Sequence, residues 1–210
     1  MQTLDPTVYL DLREGADVLE ADRQGDKVLR LVDGSILKLF RRKRLLTSAL
    51  WSPYARRFAD NCQALHERGI ECPRVRQVFR IPSIERDAVH YDPLPGRTLR
   101  QLLDGDAPAD LQARLGEFMA GLHQKGIYFR SAHLGNVVLT PEDTLGLIDV
   151  ADLRAYGKPL RKGLRLRNFK HMLRYRQDRE WLLRDNRFLE HYLSHQQTCN
   201  ERELRLALGT

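Results

Sequence analysis

Partway along the chain the spacing of its apolar residues changes, and with it the kind of structure the chain can build. Residues 17 to 40 alternate with a period of two: DVLEAD, a polar break at Arg23-Gln24-Gly25-Asp26, then KVLRLV, the pair Asp33-Gly34, and SILKLF. An Asp-Gly pair between two alternating runs predicts a tight hairpin with both turn residues at positive φ, so a three-stranded antiparallel sheet is expected here. A helix follows from about Ser52, an N-cap with Pro53 at the first helical position, to Arg68, with Gly69 as its C-cap. Phe58, Cys62, Leu65 and His66 lie on the face that would meet the sheet. VRQVFRI and RDAVHY read as two more strands. After the turn Pro93-Leu94-Pro95-Gly96 the period lengthens. RTLRQLL is a short helix, and Ala109 to Lys125 is a long amphipathic one carrying Leu111, Leu115, Phe118, Met119 and Leu122. NVVLT and LGLIDV read as strands joined at Pro141-Glu142-Asp143, and basic helices follow from about Arg165. The expected class is α+β, with a β-rich part over 1–91 and an α-rich part over 92–210, each of ordinary size for a compact unit.

With 210 residues, 42% apolar and 30% charged, the chain has the composition of a folded globular protein and can bury a core without cross-links. Cys62, Cys72 and Cys199 are odd in number and lack metal-ligand spacing, which points to a reducing compartment. The first residues have neither the basic start nor the apolar stretch of a signal peptide. No run approaches the ~18 apolar residues of a spanning helix, so a cytoplasmic location is expected.

The net charge of +7 is unevenly placed. Arg41-Arg42-Lys43-Arg44 is one block. From Lys158 to Arg187 there are eleven Lys and Arg against Asp178, Glu180 and Asp185. Clustering of this kind predicts an anionic partner: a phosphorylated substrate, a membrane surface or nucleic acid. Phe169, Tyr175 and Trp181 lie near the basic stretch at helical spacings that suit a core, which ranks nucleic acid last.

Three stretches carry candidate chemistry. Lys38 sits in the middle of SILKLF, where alternation alone makes it an outward-facing strand lysine. FRSAHLGNVVL, residues 129 to 139, is a polar loop between a long helix and a strand. Asp149 emerges from the apolar run GLIDV, and a carboxylate at a strand end suits Mg²⁺, which prefers oxygen.

In order and spacing these residues resemble the protein-kinase-like superfamily over roughly residues 15 to 180. The resemblance is strongest to its small bacterial members that phosphorylate lipopolysaccharide core sugars or aminoglycosides. HLGN is similar to the H-x-G-N ending of the phosphotransferase pattern H-G-D-x-H-x-G-N. The resemblance implies a bilobal fold, with an antiparallel sheet and one helix in the N-lobe and a mainly helical C-lobe. It implies ATP and Mg²⁺ as cofactors, with Lys38 on the α- and β-phosphates and Asn136 and Asp149 on the metal. HYDPLPGRTLRQLL is similar to the inter-lobe linker, which would place adenine against backbone groups around Val89, His90 and Tyr91.

The chain also departs from the family. Five residues before Asn136, where kinases carry the H-R-D aspartate, the sequence reads Phe129-Arg130-Ser131. A serine hydroxyl is no general base near neutral pH without help, and His133, two residues on, is the candidate substitute. The phosphate loop offers only Gly25. In the 52–68 helix, where a glutamate partner for Lys38 is expected, the middle holds Asp60 and Asn61, with Asn61 closer to the core. Three functions follow: a kinase acting at a hydroxyl of an anionic sugar lipid, bound peripherally at a phosphate-rich membrane surface; a pseudokinase that binds or regulates; and a kinase-like protein working beside RNA-modifying complexes.

Overall fold

The computed structural model describes residues 1–42, 53–103, 105 and 107–209. The chain divides into two compact units, Met1–His66 with Cys72–Leu94, and Glu67–Glu71 with Pro95–Thr210. The division falls at Leu94, three residues past the expected 91, and the short segment 67–71 belongs with the second unit. Reciprocal hydrogen bonds explain that attachment. Arg68 Nε donates to the Lys125 carbonyl (3.2 Å), Lys125 Nζ donates to the Arg68 carbonyl (2.6 Å), and Leu147 N donates to the Glu71 carbonyl (2.8 Å).

The strands of the first unit are β1 (Gln2–Thr3), β2 (Asp17–Asp22), β3 (Gly25–Arg30), β4 (Ile36–Arg41), β5 (Arg74–Ile81) and β6 (Arg86–Asp92), in the order β1-β5-β6-β4-β3-β2. Every pairing is antiparallel except that of β1, which runs parallel along the outer edge of β5, so the wholly antiparallel sheet expected from the sequence is corrected to a mixed one. A two-residue strand is enough to cover an edge that would otherwise expose unpaired backbone groups.

Among its described residues the first unit also has two α-helices where one was expected. The first, α1 (Pro6–Arg13), starts where the Asp5 carboxylate accepts from Thr7 N at 2.8 Å, with Pro6 at the first helical position. Its buried Tyr9 joins Leu29, Leu37, Leu39, Phe79 and Ile81 in a core on one face of the sheet. The second, α2 (Tyr54–His66), buries Ala55, Phe58, Cys62 and Leu65. Pro53 precedes this helix: its carbonyl accepts from Arg57 N at 2.9 Å. Ser52, with Lys43 and Arg44, lies outside the described residues.

At the Asp33-Gly34 hairpin only Gly34 takes positive φ (81°). Gly34 N donates to Leu31 O (2.9 Å) and Leu31 N to Ser35 O (2.8 Å), which closes a three-residue loop over 32–34. Asp33 keeps negative φ because its carboxylate is turned to Ser35, accepting from N at 3.0 Å and from Oγ at 2.5 Å. The two-residue turn expected there is thus replaced by a turn followed by one left-handed residue.

The second unit contains β7 (Arg97–Thr98), α3 (Leu99–Leu102), α4 (Leu111–Gln124), β8 (Ile127–Phe129), β9 (Val137–Leu139), β10 (Leu145–Leu147), β11 (Leu153–Ala155), α5 (Lys162–Met172), α6 (Arg176–Leu182), α7 (Arg187–Ser194) and α8 (Glu201–Leu208). Strand β9 pairs with β7 and β10, and β8 pairs with β11. Helices α4 and α7 approach so closely that a Cβ on Gly116 would stand 2.4 Å from the Phe188 carbonyl oxygen, leaving room for glycine alone. Helix α8 opens with a reciprocal Asn200–Glu203 cap, buries Leu204 and Leu208, and pairs Glu203 with Lys162 of α5 at 2.7 Å, so the last stretch packs onto this unit.

In its elements the protein is therefore α+β, strand-rich first and helix-rich second. Phe169 and Trp181 are core residues as expected, but Tyr175 is 41% exposed and belongs to the loop described below. All three cysteines are buried free thiols. No helix among the described residues is long and apolar enough to cross a membrane.

Candidate active site

The loop after β8 is built from the inside outward. Asn168 of α5 is fully buried and grips the backbone of Phe129 on both sides: Phe129 N donates to its Oδ1 (3.1 Å) and its Nδ2 donates to Phe129 O (2.8 Å). His123 of α4 lies between Asn168 and Tyr192 of α7, with Nδ1 2.8 Å from the Tyr192 hydroxyl and Nε2 3.4 Å from Asn168 Oδ1. Burial, and then the Arg165 guanidinium, push the His123 pKa down to about 3, so the imidazole is neutral. This buried network sets the direction in which the chain leaves β8.

Further along, Asp178 of α6 holds the loop from its other side. Its carboxylate is fully buried and accepts from Leu134 N (2.9 Å), from Arg100 Nε (3.0 Å) and from Arg100 Nη2 (2.7 Å). The Arg100 guanidinium lies over the Tyr175 ring at 4.3 Å, and His133 meets the same ring edge-on at 5.0 Å. A buried carboxylate with three donors, two of them on one planar guanidinium, is a rigid anchor.

Five of the residues singled out from sequence lie in this loop and the adjoining hairpin. Ser131 is half-buried, its carbonyl accepts from Asn136 Nδ2 (3.0 Å) and from His133 N (2.8 Å), and its Oγ makes no hydrogen bond among the described residues. His133 is half-buried with Nδ1 enclosed and unpartnered. Its pKa is lowered, first by burial and then by Arg100, against the opposing pull of Asp178 and Asp149. Arg130 is exposed at the loop's start.

Asn136 and Asp149 stand at the same end of the β9–β10 hairpin, because Ile148 N donates to the Asn136 carbonyl (3.0 Å) just beyond the last ladder pair, Leu147 with Val137. The bond from Asn136 Nδ2 to Ser131 fixes the amide so that Oδ1 is the atom left for an incoming group. Asp149 is exposed and holds a left-handed backbone (φ 53°, ψ 48°), a costly conformation for a residue with a Cβ and one that concentrates at functional positions. Among the described residues no three His, Cys, Asp or Glu side chains are grouped to hold a metal. One amide oxygen and one carboxylate do fit Mg²⁺, which takes few protein ligands and completes its shell with water and phosphate oxygens.

The other predicted residues lie in the first unit. Lys38 is half-buried in β4, with Val89 opposite it in β6 and Val28 opposite it in β3. Gly25, at the exposed corner between β2 and β3, is three strand steps from Val28, about 10 Å. Asn61 is half-buried on α2 while Asp60 faces out and pairs with Arg56 at 2.9 Å.

The expectation for Val89, His90 and Tyr91 is corrected. All three are paired on both sides, to Lys38, Leu37 and Ile36 of β4 and to Val78, Gln77 and Val75 of β5. Backbone groups inside a two-sided ladder are already engaged and cannot also meet a base. The His90 side chain is committed too, with Nε2 2.7 Å from Ser35 Oγ and a pKa lowered by burial and by Arg76.

Sequence reading missed Arg100, Asp178, Asn168 and the site role of Tyr175. Asp178 had one visible signal, an acid within a basic stretch. Nothing local distinguished it from Glu180 or Asp185.

No protein-family model matches the chain, and no curated protein matches it. Among solved structures, a 2.2 Å crystal structure of WbdD is 18% identical with a TM-score of 0.45, covering 83% of this chain and 40% of that one. A co-crystal structure of WbdD with a kinase inhibitor is 15% identical with a TM-score of 0.45, covering 88% and 46%. The chain spans less than half the length of these solved chains, and likeness at this level assigns no role to any residue.

Proposed function

We propose that the protein is an ATP-dependent phosphotransferase whose acceptor is a hydroxyl on an anionic sugar lipid, such as the inner core of lipopolysaccharide. The observation that carries this reading is the pairing of Asn136 and Asp149 at one hairpin end, one amide oxygen oriented by the Ser131 carbonyl and one exposed carboxylate on a left-handed residue. Such a pair suits the Mg²⁺ of a nucleotide, which would neutralise charge building on the transferred phosphoryl group. In this reading Asn136 and Asp149 hold the metal. Arg130, exposed at the start of the loop, faces the acceptor.

Phosphoryl transfer depends mainly on position and electrostatics, so a weak base lowers the rate without abolishing it. Burial and then Arg100 lower the His133 pKa, so in this reading it is a weak proton acceptor. The test is a thermal-shift titration with ATP, with and without Mg²⁺, on the protein and on Asp149→Asn. Saturation at a hundred times the dissociation constant adds about 2.7 kcal/mol. A Mg²⁺-dependent shift lost in the variant is expected, and transfer of the γ-phosphate to core oligosaccharide would complete the case. No shift at any nucleotide concentration rejects the reading.

A second reading, a pseudokinase that binds or regulates, is favoured by one observation: Ser131 Oγ has no hydrogen-bonding partner that could activate it among the described residues. Ser131→Asp separates the two. Transfer that appears only in the variant would make the natural protein a scaffold.

A further inference from the structure

Several basic side chains of the helical unit have acidic partners. Lys162 pairs with Glu203, Arg176 with Glu180, Arg187 with Asp185 and Arg205 with Glu201. One group does not. Tyr128 of β8 sends its hydroxyl to His171 Nε2 at 3.1 Å, which joins the strand to the end of α5. Arg167 and His171 are spaced i, i+4 on that helix and share a face, and Arg174, in the turn just past its end, donates its N to the His171 carbonyl at 3.3 Å. Arg130 is the first residue after β8, and its charge acts on His171. Arg154 is directly opposite Tyr128 in the antiparallel β8–β11 pair, which puts its side chain on the same side as that of Tyr128.

Arg130, Arg154, Arg167 and Arg174 are all exposed. Among the described residues the charges that act on His171 are Arg130, Arg167 and Arg174, with no carboxylate, and after burial they hold its pKa down. Cations at a helix C-terminus are ordinarily explained by the helix dipole. That explanation covers Arg174 and leaves Arg130 and Arg154, which come from the β8–β11 ribbon. Several guanidinium groups gathered without an acid repel one another, and an anion with several oxygens relieves that repulsion. Arginine's planar fork suits phosphate in particular.

We propose that Arg130, Arg167, Arg174 and His171 form a phosphate site at the start of the candidate catalytic loop, where a phosphate already carried by the acceptor is held. The inference rests on the phosphotransferase reading for the word acceptor, and on the cluster alone for the phosphate. It adds an order of events. The acceptor reaches this protein after another phosphoryl-transfer reaction has marked it, and the neighbouring loop then works on a hydroxyl of the same molecule. His171 gains a proton more readily once the anion offsets the three guanidinium groups.

The test uses the full chain and deacylated, phosphorylated core oligosaccharide as the probe, with the same oligosaccharide after chemical dephosphorylation and inorganic phosphate as comparisons. The double variant Arg167→Gln/Arg174→Gln is expected to bind the phosphorylated probe at least tenfold more weakly. Arg202→Gln, an exposed arginine on α8, should bind as the parent does. In the parent, inorganic phosphate should raise the pKa of His171 followed by NMR. Equal weakening in both variants, equal binding of the dephosphorylated probe, or tighter binding of a short single-stranded RNA would each overturn the proposal. The ATP-induced thermal shift is measured alongside. Its absence with selective phosphate binding intact rejects the kinase reading alone, whereas a normal shift without selective binding rejects the phosphate site alone.

Discussion

The loop at 129–136 and the corner at Gly25 are secured by opposite means. Around the loop, Asn168, His123, Tyr192 and Asp178 are all buried, and each spends its polar atoms on the backbone or on a buried or half-buried group. Around the corner the contacts are exposed ion pairs, Arg13 with Asp26 at 2.7 Å and Arg41 with Asp22 at 2.6 Å, besides the Asp22 carboxylate accepting from Gln24 N at 2.8 Å. A polar group taken out of water must keep its partners, so the first region has one arrangement. An exposed pair gives its charges back to solvent with little loss, so the second tolerates change.

Breaking the buried anchor is the harshest test of this contrast. Asp178→Ala leaves Arg100 without its carboxylate and Leu134 N without an acceptor, and should lower stability by about 3–5 kcal/mol in denaturant titration. Amide exchange at Leu134 should accelerate with it. A loss below about 1 kcal/mol would mean the loop is held by something else.

Asn168→Ala comes next, because it strips both backbone partners from Phe129. At about 1–3 kcal/mol for each group left unsatisfied in the interior, a total of about 2–6 kcal/mol is expected. Isosteric Asn168→Asp keeps only the acceptor and should fall between the variant and the parent.

A smaller effect follows from pH. His123 is pushed from an ordinary 6.5 to about 3 in the folded protein, so between those values the unfolded chain binds a proton that the folded chain refuses. Stability is therefore full above about pH 6.5 and declines as pH falls toward 3. Denaturant midpoints at pH 7.5 and 5 should diverge in the parent and draw closer in His123→Gln. A parent with equal midpoints would show that His123 is not enclosed as described.

The least effect is expected at the corner, where Arg13→Gln should leave the melting temperature within error of the parent. A loss as large as that of Asn168→Ala would erase the distinction between the two regions.

These contrasts also mark what could be read from the chain itself. The strands β2 to β6 and the helices α2 and α4 follow from local alternation and local caps. Even α1, which was overlooked, had its signal in Asp5 followed by Pro6. Ser131, His133, Asn136 and Asp149 stand out as candidates in the sequence because they sit close together along the chain. Val89 to Tyr91 were misjudged because a strand's sequence does not say whether one or both of its edges are paired.

The sequence alone determined the change of period from two to between three and four, and hence a strand-rich unit followed by a helix-rich one, because side-chain direction along a helix or strand is a local property. Only the tertiary structure decided which polar residues are buried and what they hold. Arg100 and Asp178 are 78 residues apart and Phe129 and Asn168 are 39 apart. Such partners are selected when distant segments close around a shared interior. There each buried donor and acceptor must find its match, and no local pattern records the choice.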